Sequence, residues 1–322
     1  MATGTEFCRI TEIPGKGVGV VASVDIPKGT RILCETPILT VRHASISELN
    51  ETIAQKLRAM TKDQQVQFLS LYNAHTGSMP PFVGITKTNA LPCGSDSPIG
   101  AIYPTICRIN HSCIPNTMHN WNDARKQETI HAVRAIQAGE EITISYDAGQ
   151  VSDVRKLDMR ASFGFECKCP LCSSSPAELA SSDARRREIQ RLDDAIGNPF
   201  AMMSQPIGML KNCHAIVKLL LEEYGESATV LLARSYYDAF QACVAHGDKR
   251  RASVFAERAY RMRLISEGDD SPSTTKMAEY MRSPNLHPSF GSYSTKWGNA
   301  GGNMPKNKDS AEFERWLWRE SV

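Results

Sequence analysis

Four stretches of this chain have residue types and spacings that could do chemistry. Cys167, Cys169 and Cys172 form a C-x-C-x-x-C run, and three thiolates on one tight turn can converge on a tetrahedral ion. Zinc in a closed structural site takes four soft ligands, so a fourth must come from elsewhere, with Cys113 the leading candidate. A redox pair fits less well, because no βαβ pattern surrounds these cysteines. Cys113 ends the loop Asn110-His111-Ser112-Cys113, in which the imidazole could be a base and the thiol a nucleophile. Nucleophilic Cys and His partners meet from distant segments rather than from neighbouring positions, which favours a structural or metal role for Cys113. Tyr146 closes the apolar stretch from Ile142, where alternation puts Ile142, Ile144 and Tyr146 on one face. It is either a core tyrosine with its hydroxyl satisfied at the rim or a functional phenol. In Gly15-Lys16-Gly17 the glycines either serve a turn at positive φ or let backbone approach a ligand. No helix pattern follows them, so they are not a dinucleotide fingerprint.

The elements that must position these groups are short strands interrupted by helices. Residues 7 to 41 alternate β-branched runs with Gly and Pro, including the turn Pro27-Lys28-Gly29, and predict antiparallel strands. Ile46, Leu49, Ile53, Leu57 and Met60 then recur at helical spacing, and Thr61 with Gln64 forms a capping-box pattern ahead of Val66, Phe68, Leu69 and Tyr72. Strand pattern returns around Gly84-Ile85 and from Ile99 to Tyr103. The stretch 43 to 105 therefore reads as a helical insertion within one β-rich domain. Ser173-Ser174-Ser175-Pro176 reads as a hinge-like linker. Beyond it lie a charged helix over Asp183 to Ile196 and helical runs through His214 to Tyr224, Ala228 to Ala245 and Ala252 to Ser266. Small residues at helix-pair spacing there suit a stacked helical-hairpin repeat. Arg250, Arg251, Arg258, Arg261 and Arg263 read as a solvated helix face. The segment from Pro284 to Lys308 is rich in Gly, Asn, Ser and Pro, a composition that predicts disorder. Phe313, Trp316 and Leu317 are spaced for a short terminal helix.

Composition narrows the function classes. A length of 322 residues with 41% hydrophobic residues allows about two domains with cores of their own. The net charge of +2 gives no support to wholesale nucleic-acid binding. The first residues lack a signal peptide's basic start and apolar run, and no apolar stretch is long enough to span a membrane, so a soluble intracellular protein is expected. In a reducing compartment the ten cysteines are read for metal before disulfides.

Taken in order, Gly15-Lys16-Gly17, Asn110-His111-Ser112-Cys113, Tyr146 and Cys167-x-Cys169-x-x-Cys172 resemble the SET-domain protein lysine methyltransferases. The resemblance covers about residues 7 to 172. The insertion, the Phe163-Gly164-Phe165 lead into the cysteines and the helical C-terminus most resemble the SMYD branch. It implies an α+β fold: a SET domain over 1–150 with its insertion at about 43–105, a zinc-binding post-SET segment over 151–172, a helical, TPR-like domain over 173–283, and a disordered tail over 284–322 with a short terminal helix. The Asn-His loop would thread through a knot-like crossing near the tyrosine.

The same resemblance implies an enzyme that transfers methyl from S-adenosylmethionine to a lysine of a histone or another protein. Gly15, Lys16 and Gly17 would meet the methionine end of that cofactor, Asn110 and His111 its amine and adenine, Asn89 another part of it, and Phe165 the adenine face. Tyr146 would be catalytic, beside the cofactor, and Phe163 would line the lysine channel. Cys113, Cys167, Cys169 and Cys172 would hold structural zinc. The partner expected is a protein substrate, with no nucleic acid or membrane, in a monomer of nucleus or cytoplasm. The stretch 43–105 contains one cysteine, Cys93, and two histidines, His43 and His75, too few for the branch's MYND zinc module, which is expected to be absent. The alternative function is a catalytically inactive, zinc-stabilised scaffold acting through its helical domain.

Overall fold

The computed structural model describes residues 6–95, 97–147, 149–299 and 304–320. The chain divides into two compact units, Met1–Leu179 and Ala180–Val322.

The first unit opens with the hairpin β1 (Cys8–Ile13) and β2 (Gly17–Ala22), in register from Cys8 opposite Ala22 to Ile13 opposite Gly17. Its turn closes with the Lys16 N–H on the Ile13 carbonyl at 3.0 Å, and both Gly15 (φ +75) and Gly17 (φ +71) take the left-handed conformation that side chains resist. Strands β3 (Arg31–Glu35) and β4 (Leu39–Arg42) follow. The insertion then supplies α1 (Ile46–Ala59), α2 (Lys62–Leu69) and α3 (Pro81–Asn89). Ser45 with Glu48 and Thr61 with Gln64 both form complete capping boxes, satisfying orphan N–H groups at the helix starts. Leu49, Ile53 and Leu57 on α1 bury with Phe68, Val83 and Ile85 into a small core that Leu39 and Val41 of β4 share.

After α3 come β5 (Leu91–Pro92), β6 (Ile99–Ile102), β7 (Asn110–His111), β8 (Thr117–Asn122), β9 (Gln127–Ala132), β10 (Glu141–Ile144) and α4 (Ser152–Phe163). The strands form sheets ordered β1-β2-β10-β7, β3-β9-β8 and β4-β6-β5. Among the described residues only β7 and β10 pair in parallel, Asn110 opposite Thr143 and His111 opposite Ile144. A parallel pair cannot be closed by a tight turn, so the chain leaves β7, runs through the β8–β9 hairpin, and returns beside its starting point.

The second unit is helical: α5 (Pro176–Ile196), α6 (Pro199–Ser204), α7 (Pro206–Tyr224), α8 (Thr229–Ala245), α9 (Lys249–Glu267), α10 (Pro272–Arg282), α11 (Lys296–Asn299) and α12 (Ala311–Leu317). Buried Ala239, Ala242, Ala252, Ala256 and Ala259 let α8 and α9 approach closely around Phe240 and Phe255.

Four local expectations are corrected. The Gly84-Ile85 strand is instead α3: Pro81 suits the first helical turn, and a Cβ at Gly84 would lie 2.4 Å from the Asn73 side-chain oxygen, so the glycine serves close packing. The expected linker at Ser175 is the capping box of α5, with the Glu178 N–H on Ser175 Oγ and the Ser175 N–H on Glu178. The Arg250–Arg263 face is not wholly solvated, since Arg251 is buried against Asp248 and donates to the Trp316 carbonyl, and Arg258 pairs with Glu314. Nor is 284–308 structureless over its described residues. The N–H groups of Gly291, Tyr293 and Trp297 donate to the carbonyls of Val244, Ala245 and His246, which a helix end leaves without internal partners. Residues 300–303 and 321–322 of the expected tail lie outside the described residues. Phe313, Leu317 and Trp318 are buried in the helical core.

Candidate active site

The β1–β2 turn, β7, the segment after β10 and the end of α4 surround one cavity of about 1040 Å³. Its walls include Gly15, Lys16 and Gly17, then Asn110 and His111, then Tyr146, with Phe163 and Phe165 opposite. Asn89 also reaches the wall, with its amide N–H groups committed to the carbonyls of Tyr72 and Ile85 at 2.6 and 2.7 Å. A Cβ on Gly15 or Gly17 would meet nothing within 4 Å, so bare backbone faces open space there. The turn and ligand readings of these glycines are therefore compatible.

Tyr146 lies just beyond β10. Its hydroxyl donates to the Ile109 carbonyl at 2.6 Å, and its backbone N–H donates to Nδ1 of His111 at 2.9 Å. Phe163 packs 4.7 Å from its ring centroid and Phe165 meets it edge-on at 6.5 Å. Gly164 makes this aromatic wall possible. It ends α4 at φ +73, and the Phe165 N–H reaches back to the Met159 carbonyl, so the flanking phenylalanines both turn toward the cavity. Burial, with lesser help from Cys107 and Glu141, holds the Tyr146 phenol proton well above its ordinary pKa. With its hydrogen spent on Ile109, the phenol stays neutral and its oxygen is left with lone pairs that can only accept.

His111 is buried, and burial lowers its pKa against the pull of Asp147. Because Nδ1 accepts from Tyr146, a neutral ring carries its hydrogen on Nε2, which lies 3.2 Å from Cys113 Sγ. Both nitrogens are thus engaged inside the protein.

Cys113, Cys167, Cys169 and Cys172 place their sulfurs within 4.8 Å of one another, a set that could hold a metal ion. Thiols at Cys113 and Cys167 hydrogen-bond to Cys172 and draw its pKa down to about 6. Arg155, fully buried, donates to the Gln150 carbonyl at 2.5 Å and brings Nη2 to 4.0 Å from Cys172 Sγ. Burial pulls its pKa down, but the sulfurs of Cys113 and Cys172 outweigh that and hold the guanidinium above its usual value.

Residues 17–147 match the family model described as the SET domain. The chain is 36% identical over 287 residues, 88% of its own length and 86% of the relative's, to histone-lysine N-methyltransferase set5 of Schizosaccharomyces pombe. The chain belongs to the SET-domain family of protein-lysine methyltransferases. Its similarity to histone-lysine N-methyltransferase SMYD3 of Mus musculus is 30% over 152 residues, 44% of this chain and 35% of that one. N-lysine methyltransferase SMYD2 of Homo sapiens is 32% identical over 87 residues, 27% and 20% of the two chains.

Within this SET domain several structuring residues escaped the sequence reading. Asn116 crosses from the returning loop to β10: its amide donates to Glu140 and to the Glu141 carbonyl, and its oxygen accepts the Thr143 N–H at 2.8 Å. Glu141 accepts from the Asn110 amide at 3.0 Å and pairs with Lys16, tying two cavity walls together. The signal for Arg155 was present, since it shares the buried register of α4 with Ser152 and Met159, where a charge requires a partner. Nothing in the local pattern marks Asn116 or Glu141, whose partners lie about a strand hairpin away.

Proposed function

We propose that this chain is an S-adenosylmethionine-dependent protein-lysine N-methyltransferase acting on a histone or another protein. The observation that carries the reading is Tyr146: a neutral phenol, hydrogen-bonded through its own proton to Ile109, presented to a cavity walled by Phe163 and Phe165. The residues present fit the cofactor. Lys16 and Asn110 in the cavity wall, both held by Glu141 behind them, supply a cation and an amide for the charged amino-acid end. Bare backbone at Gly15 and Gly17 leaves room beside them. The aromatic faces of Phe165 and Tyr146 suit an adenine ring and a cationic sulfur.

When bound, S-adenosylmethionine supplies an electrophilic methyl on a sulfonium, and transfer forms a nitrogen–carbon bond as the carbon–sulfur bond breaks. A lysine ammonium has no lone pair to give, and presenting the neutral amine at pH 7 costs about 4–5 kcal/mol from a reference pKa near 10.4. Phe163, Phe165 and the Tyr146 ring exclude water and so favour the uncharged amine. The Tyr146 oxygen accepts an amine hydrogen and turns the nitrogen lone pair along the transfer line, which makes its contribution one of positioning.

Cys113, Cys167, Cys169 and Cys172 would hold zinc. Tetrahedral coordination with zinc–sulfur bonds of about 2.3 Å sets sulfurs about 3.8 Å apart. Cys113 Sγ lies 3.5 Å from Cys172 Sγ and 3.9 Å from Cys167 Sγ, and Arg155 offsets the excess negative charge of four thiolates.

The test is calorimetric titration with S-adenosylmethionine together with transfer of labelled methyl to histones and to whole lysate. Micromolar binding is expected, with label in a protein band. Tyr146→Phe should keep cofactor affinity and lose about a hundredfold in transfer rate. A folded, metal-containing protein that binds no cofactor would overturn the reading in favour of a scaffold.

A further inference from the structure

Of the lysines, arginines and carboxylates that line the cavity beside Tyr146, Lys16 pairs with Glu141 and Glu166 pairs with Arg160. Arg108 and Lys168 line it too, and neither has a carboxylate partner among the described residues. Arg108 is the more telling of the two because it is held in place. Its Nε donates to the Pro104 carbonyl at 3.1 Å and its Nη2 to Ser70 Oγ at 2.7 Å, while Nη1 has no acceptor among the described residues. Both anchors are neutral, so they fix the plane of the guanidinium and leave its charge whole. Ser70 itself lines the cavity, which puts the anchored end on the cavity side. A guanidinium paired with a carboxylate of its own chain is satisfied. One pinned by a carbonyl and a hydroxyl is prepared for an anion that arrives from outside.

Its place in the chain says which part of a substrate it meets. The Tyr146 hydroxyl donates to the Ile109 carbonyl at 2.6 Å, and Arg108 is the residue before Ile109. An extended peptide advances about 3.3 Å per residue, so an anion held by Arg108 lies within about four residues of a lysine whose amine reaches Tyr146. The carboxylate of the cofactor is a poorer candidate for this cation. Lys16 and Asn110 serve that end from the β1–β2 turn and β7, whereas Ser70 ties Arg108 to the wall formed by the insertion.

We infer that this site selects a lysine flanked by aspartate or glutamate, with Arg108 reading the acidic side chain and Lys168 adding to the field. The inference rests on the methyltransferase reading and names the substrate class within it: an acidic segment of a protein, not one rich in arginine and lysine. A basic neighbour would meet Arg108 and Lys168 as like charges and would cover the guanidinium without pairing it.

The test is a set of lysine peptides in which one position at a time, from about four residues before the lysine to four after it, carries Glu, Ala or Arg. Transfer of labelled methyl is measured as kcat/KM with the parent protein, Arg108→Gln and Arg108→Glu. With the parent, Glu should exceed Arg by about tenfold to a hundredfold at one or two positions, an advantage that shrinks as salt is raised. Arg108→Gln should erase most of it at unchanged Kd for S-adenosylmethionine. Arg108→Glu should reverse it, a gain for the Arg peptide that misfolding cannot produce. The same preference in all three proteins overturns the inference, and so does a tenfold loss of cofactor affinity in Arg108→Gln, which would assign Arg108 to the cofactor. A parent that favours Ala or Arg over Glu at every position overturns it whether or not the variants fold. Binding of the same peptides, followed by fluorescence anisotropy, keeps the two readings apart. A parent that transfers no methyl yet binds the Glu peptide more tightly than the Arg peptide, with the order reversed in Arg108→Glu, would strike the methyltransferase reading and leave the charge reading standing. Equal binding of the two peptides would strike the charge reading.

Discussion

Around Tyr146 the geometry is carried by polar side chains with specific partners: His111 between Cys113 and Tyr146, Asn116 between Glu140 and Thr143, and Glu141 between Lys16 and Asn110. In the α8–α9 hairpin it is carried by small and aromatic residues, Ala239, Ala252 and Ala256 around Phe240 and Phe255. Both regions are buried, but they fail differently. A hydrogen bond fixes direction and leaves an unsatisfied group when broken, so the first region holds particular atoms in place. Apolar packing fixes volume and tolerates small shifts, so the second holds elements together. A methyl acceptor must be aimed, a task that suits directed polar contacts better than apolar packing.

Phe255→Ala should give the largest loss of stability, about 3–5 kcal/mol in urea unfolding, because a fully buried ring leaves a cavity. The described residues lining the cavity beside Tyr146 all belong to the first unit, so the proposed affinity for S-adenosylmethionine per folded molecule should be unchanged. A change of tenfold or more in that affinity would break the comparison. Asn116→Ala should cost about 2–3 kcal/mol, since the Thr143 N–H loses its acceptor in a buried place. Unlike Phe255→Ala it should also weaken cofactor binding, measured by calorimetry, because β10 carries Glu141, which holds Lys16 and Asn110 in the cavity wall. Gly19→Ala should have the smallest effect, about 1 kcal/mol. Its Cβ would come within 2.5 Å of Ile13 and the Asn110 amide, both side-chain ends that can move. The sharper reading is that Asn110 moves at a cost to cofactor affinity; a stability loss without any change in affinity would show that Ile13 gives way instead.

Much of the site was legible because its parts have local signatures. The C-x-C-x-x-C spacing marked three sulfurs, and the structure brings Cys113 Sγ within 4.8 Å of them. The Thr61–Gln64 capping box read correctly because both of its hydrogen bonds lie within one turn. Gly84-Ile85 was misread because β-branched residues beside glycine imitate a strand, while the packing of Gly84 on Asn73 that favours a helix has no local mark. The Gly- and Ser-rich segment after Pro284 was misread for a related reason. Its backbone caps the end of α8, and backbone bonds to a distant carbonyl carry no compositional signature.

The sequence alone determined which residues could act: the glycine turn, the Asn-His loop, the cysteines, Tyr146 and the phenylalanines around Gly164. Their types are set by chemistry, and chemistry is legible one residue at a time. Only the tertiary structure decided how they act together. It set the Tyr146 N–H on the inner nitrogen of His111, spent the Tyr146 hydroxyl hydrogen on the Ile109 carbonyl, and set Arg155 beside the sulfurs. Each of those outcomes depends on a partner brought close by the parallel pairing of β7 with β10 or by the return of α4, and hydrogen bonds and buried charges act only at contact distance.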